Sequence, residues 1–236
     1  MKKIIILLVF SLYITNIFAQ NFSGGLFIGP AISWVSTDSR IIDRDKIKLG
    51  YTFGATADLR IFDNFDLAMG LKFNNIGGSI KFLHGATGLK AEEITLPDTL
   101  PPGSAMNFNL DYIAVPIGFK GKTNEIGHTT YFLKGGATPM VNIKKKGDIS
   151  TFSDLIIKDH VNTLNFAWHI GGGFEYALAG STRLLVELIY TGGLMDFSKF
   201  KDKDKNDLIF ANDERSKTGD PKTTINDISL KVGILF

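Results

Sequence analysis

The chain has 236 residues, with 26 lysines and arginines against 24 acidic residues, and no cysteine. The missing cysteines exclude a disulfide framework and thiol chemistry. Removal of Lys2 and Lys3 with a leader would leave 24 bases against 24 acids, a balance that argues against nucleic acid as a partner.

The first element is that leader. Lys2 and Lys3 precede the apolar run Ile4–Phe10, and Ile17-Phe18-Ala19 lead into Gln20. A basic start, a short apolar core and a small residue before a polar one predict a secretory signal peptide over residues 1–19, cleaved after Ala19. The core falls short of the roughly 18 residues that a spanning helix needs. The mature domain is then 20–236.

Beyond it, period-two alternation dominates. Leu26, Ile28, Pro30, Ile32 and Trp34 alternate with Gly, Ala and Ser in the first segment. From Ile47 to Ile61 the odd positions are all apolar, while the even ones include Lys48, Thr52, Asp58 and Arg60. The pattern returns at Leu67–Phe73, Ile113–Phe119, Tyr131–Ile143, Leu164–Tyr176, Leu184–Leu194 and in the terminal "INDISLKVGILF". Eight alternating segments predict eight strands, each too evenly patterned for a helix.

Two features decide which face is inside. The polar series is rich in small residues, which suit a crowded interior. The connections also alternate in length: Ser36–Lys46, Asn75–Asn109, Lys144–Thr163 and Met195–Thr223 are long, whereas Asp63-Asn64, Gly121–Thr129 and Leu178–Thr182 are short. Long loops at one end and short turns at the other predict an all-β, eight-stranded, antiparallel up-and-down transmembrane barrel with both termini periplasmic. Trp34, Tyr51, Trp168 and Tyr190 fall toward the loop end, and Phe119, Tyr131, Tyr176 and Phe236 toward the turns, as two interfacial belts require.

The segments "GGLFIGP", "DYIAVPIGFK", "YFLKGGATP", "FAWHIGGGFEY" and "RLLVELIYTGGL" together resemble the PorT-like outer-membrane β-barrel proteins of Bacteroidetes, across the whole mature chain. The resemblance implies a Gram-negative outer membrane and raises a type IX secretion role. It departs at Ile189, which precedes Tyr190 where the family commonly carries Arg. By the same resemblance the terminal Phe236 is a signal for the barrel-assembly machinery, which makes that machinery a partner during insertion.

The lumen series holds Asp58, Asp66, Glu175, Glu187 and Asp227 with Arg60, Lys72, Lys120, Lys134, Arg183 and Lys231. Folding about Asp63 sets Arg60 across from Asp66, and folding about Ala179 sets Glu175 across from Arg183. An eight-stranded barrel is just wide enough for side chains to fill, so these charges predict a structural network closing the lumen. A catalytic rival needs a nucleophile or a water-activating pair at the loop rim. Among the histidines, His84, His128, His160 and His169, only His160 and His169 sit plausibly, and neither has a sequence-local partner set. Asp202, Asp204, Asn206 and Asp213 approximate a calcium loop, but Asp207 stands where glycine is wanted and three lysines crowd it. "HGATGLK" lacks phosphate-loop spacing.

No cofactor, metal site or catalytic residue is therefore expected. The expected function is a non-enzymatic structural or binding role through the long loops. Outer-membrane lipid and lipopolysaccharide are the expected partners, with Lys144-Lys145-Lys146 facing the phosphates, or else a protein or small ligand at the proline-punctuated "LPDTLPPG" (Leu96–Gly103). The alternatives are a secretion-system subunit or assembly factor, and a lipid-modifying enzyme or protease.

Overall fold

The computed structural model describes residues 22–38, 42–83, 86–87, 99–149, 152–156, 161–198 and 222–236. The leader segment, His84, His160 and the loop Asp202–Asp213 lie outside these residues. The strands are β1 (Phe22–Thr37), β2 (Ile42–Arg44), β3 (Lys48–Phe62), β4 (Phe65–Phe82), β5 (Ala86–Thr87), β6 (Thr99–Leu100), β7 (Ala105–Ala114), β8 (Ile117–Lys122), β9 (Thr129–Ile149), β10 (Phe152–Ile156), β11 (Leu164–Ala179), β12 (Thr182–Gly193) and β13 (Thr223–Leu235).

Eight of these positions close a ring. In order it runs β1, β3, β4, the β7–β8 pair, β9, β11, β12 and β13, which returns to β1, and every pairing is antiparallel. The ring closes where β1 meets β13, from Gly25 opposite Leu235 to Thr37 opposite Thr223. Closure leaves no strand edge within the ring, which is what lets a sheet stand in hydrocarbon. The fourth position is split at Val115-Pro116. Proline has no N–H to give, but its carbonyl accepts from Gly70 N–H at 3.0 Å and Val115 N–H reaches Pro139 O at 3.0 Å, so the wall stays paired on both sides.

The apolar series faces outward. Leu26, Ile28, Leu49, Leu71, Leu133, Ile170, Leu188 and Leu230 are all exposed, and Leu49 reaches 74%. Trp168 and Tyr190 meet at 5.2 Å between ring centres, Trp34 joins Tyr190 at 6.2 Å, and Tyr51 stacks with Phe73 at 6.0 Å. These rings end the outward band at the loop end. Phe119, Tyr131, Tyr176 and Phe236 stand exposed near the turns. At the turn end, Gly180 takes the positive φ of 57° that a two-residue hairpin turn requires between Ala179 and Thr182.

Two expected loops are largely strand. The stretch 75–82 continues β4, 105–109 belongs to β7, and β9 runs through Lys144 to Ile149. Beyond the belt β2, β4, β7, β9 and β10 therefore form a five-stranded antiparallel sheet. In it the alternation turns over: Ile76, Ile80, Phe82, Met106, Phe108 and Leu110 are buried, while Lys81 and Asn107 are exposed. On β9 a bulge achieves the turnover, since Asp111 pairs with Lys144 and Tyr112 with Asn142, leaving Ile143 unmatched. The upper part of β4 leans across the mouth until Gly78 lies against β1; a Cβ there would come within 2.9 Å of Val35 N. Only glycine permits that approach.

Candidate functional site: a charged lumen under an apolar cap

The lumen is filled in two layers. Toward the turns, Lys120 sits between two carboxylates, 2.6 Å from Asp58 and hydrogen-bonded to Glu175, and Arg183 binds the other oxygen of Glu175. The second guanidinium nitrogen of Arg183 donates to Ser23 Oγ at 2.8 Å. Lys122 meets Asp66 at 2.5 Å. One step higher, Lys134 lies 2.7 Å and Lys231 3.8 Å from Glu187, and Lys72 is within electrostatic reach of Asp227 and Glu187 without a direct ion pair among the described residues. Phe132 and Phe27 present ring faces to Lys120 at 4.4 Å and to Lys231 at 4.6 Å. Most of these ions are thus met by an opposite charge or a ring, as burial demands; among the described residues Lys72 and Asp227 are the exceptions.

The outer layer is hydrocarbon. Val35, Ile76, Ile80, Phe82, Met106, Phe108, Leu110, Ile149, Val161, Phe197 and Ile225 form one buried cluster. Phe197 meets Phe108 edge to face at 5.3 Å. Its segment is tied down by polar bonds: Asn162 Nδ2 donates to Asp196 O and Ser198 O, while Asp196 Oδ1 accepts from Ser198 N–H and from the N–H and hydroxyl of Thr223. Lys145 donates to Val161 O at 2.9 Å and to Thr163 Oγ1 at 2.8 Å, so it fastens the cap. At the outer edge, Asn75 donates to Asn109 and Asp111, Lys48 donates to Asn109 Oδ1 at 2.6 Å, and the half-exposed Lys144 lies 3.7 Å from Asp111.

Asp58, Asp66, Lys72, Lys134, Glu175, Arg183, Glu187, Asp227 and Lys231 all project into the ring, and one charge pair differs from expectation. Arg60 does lie opposite Asp66 in register, but Asp66 takes Lys122 instead, and Arg60 is exposed at the mouth of a polar cavity of about 240 Å3 with Asp63, Glu125 and His128. Arg183 does bind Glu175 as expected, although its register partner is Ala177, because the hairpin turns between Ala179 and Thr182 and not about Ala179. Lys122, assigned to a turn by sequence, is a strand residue. It shares the inward parity of Lys120, and extending the alternation one step would have found it. His169 is buried, with Nδ1 at 2.8 Å from Thr138 Oγ1, and no carboxylate bonds it. Phe236 is pinned to β1, its N–H donating to Gly24 O at 2.8 Å while its ring stays exposed. From "LPDTLPPG", Pro101, Pro102 and Gly103 are exposed and turn the chain back onto Phe82 and Ser104, while Leu96–Asp98 lie outside the described residues.

The chain is similar to three solved outer-membrane barrels. Neisserial surface protein A is 9% identical, with 91% of this chain and 95% of that one covered and a TM-score of 0.44. The attachment invasion locus protein Ail of Yersinia pestis, in complex with the heparin analogue sucrose octasulfate, is 13% identical over 92% and 99%, at 0.41. OprG of Pseudomonas aeruginosa is 10% identical over 91% and 92%, at 0.45. No curated protein sequence matches the chain. The family model for the outer membrane protein beta-barrel domain matches residues 18–199. With its closed ring, outward apolar band and ion-paired lumen, the chain belongs to the outer membrane protein beta-barrel domain family.

Proposed function

We propose that the protein is a non-enzymatic barrel of the outer membrane that works through the face it raises beyond the bilayer. One observation carries this reading: the lumen is shut twice, by ion pairs toward the turns and by packed hydrocarbon toward the loops. A solute crossing the barrel would have to break both layers, so transport through the lumen is disfavoured. Among the described residues, what is left for recognition is the five-stranded sheet with its exposed lysines Lys81 and Lys144 above the aromatic belt. Ammonium groups at that level suit the phosphates of lipopolysaccharide. In this reading residues 1–19 are the export signal, the sheet faces outward from the cell, the termini are periplasmic, and Phe236 serves insertion. A PorT-like relationship would add a secretion complex as the partner.

The test has two arms. In planar bilayers the purified protein should show no steady conductance. Vesicles containing lipopolysaccharide should retain it more tightly than phospholipid vesicles, with the difference reduced several-fold in K81A/K144A. A stable open channel, or retention indifferent to both lysines, would defeat the reading.

A further inference from the structure

The two tiers of lumen charge do not balance equally. Nearest the turns, Lys120, Lys122 and Arg183 face Asp58, Asp66 and Glu175, three against three. Above them Lys72, Lys134 and Lys231 face only Glu187 and Asp227. Among the described residues no third carboxylate faces this upper group. The nearby His169 spends Nδ1 on Thr138 and brings no negative charge. Lys72 is 1% exposed and Lys231 2%, so bulk water cannot screen the surplus. A buried ammonium without a counter-charge costs several kcal/mol.

A void of about 10 Å3 lies among Lys134, Lys231, His169, Glu187, Phe27 and Pro116. That is room for about one water-sized occupant. We propose that the upper tier holds one small monovalent anion, of halide size, as a resident counter-ion between Lys134 and Lys231. A polyatomic anion does not fit the void. A water molecule fits but leaves the extra charge uncompensated. The ion completes the filling of the barrel, and the site is independent of any partner at the loop end.

Crystals of the full barrel folded and grown in sodium bromide test this directly. An anomalous peak is expected between Lys134 and Lys231, and it should vanish in Lys231→Met, which removes the surplus charge. In parallel, the thermal midpoint of the detergent-folded protein should be higher in chloride than in gluconate at equal ionic strength. The expected gap is roughly 3 °C, and it should close in the same variant, whose folding is checked by its heat-dependent gel mobility. Absence of a lumenal bromide peak, or equal midpoints in the two salts, would overturn the proposal and mean that one lysine is neutral.

Discussion

The two halves of this barrel interior are built from opposite materials. Beside the outward band from Phe65 to Phe73, the inward positions of β4 are Asp66, Ala68, Gly70 and Lys72; a few residues further they are Ile76, Ile80 and Phe82. The strand is continuous and the facing direction does not change. What changes is the medium outside. Where the outer face meets acyl chains it must be apolar, and a period of two then sends the polar residues inward, where they have to pair. Where the outer face meets water, Lys81 and Asn107 occupy it, and the hydrocarbon retreats inside as in a soluble sheet. The composition of the core thus records the solvent on the other side of the wall.

This contrast can be broken one layer at a time. The largest effect is expected from Lys120→Met, which strips Asp58 of its ion pair and Glu175 of one of its two. Urea unfolding from phospholipid vesicles should show a loss of about 3–5 kcal/mol. Phe108→Ala opens a hole in the cap against Phe197 and should cost about 3–4 kcal/mol by the same assay. The two layers are separate packing units, so the double variant should lose the sum to within about 0.5 kcal/mol; strong coupling would mean that they are one core. The turnover itself is sharpened by an arginine scan of outward positions. Val232→Arg, in the lipid-facing band, should destabilise by about 2–4 kcal/mol, whereas Asn107→Arg, on the raised sheet, should change stability by less than about 0.5 kcal/mol. Equal costs would erase the boundary drawn here. Arg60→Ala should be the mildest, within about 0.5 kcal/mol, because its guanidinium is exposed and Asp66 keeps Lys122.

Alternation along single segments was enough to read eight strands, the outward apolar face and the inward charges, because a strand displays its two faces in strict turn. Short turns such as Asp63-Asn64 were legible for the same local reason, since their residues favour tight bends. The raised sheet was not. In 75–82 and 105–110 the apolar residues still alternate, but nothing local says that their environment has switched from lipid to water, so those stretches read as loop. Partner choice among the charges was equally hidden. Whether Asp66 takes Arg60 or Lys122 depends on which strand follows β4 around the ring. The sequence by itself determined the ring and the sidedness of its strands, since both follow from period and from loop length. Only the tertiary structure decided how the lumen is closed, because ion pairing and cap packing join residues that ring closure alone brings together, such as Lys120 with Glu175 and Phe108 with Phe197.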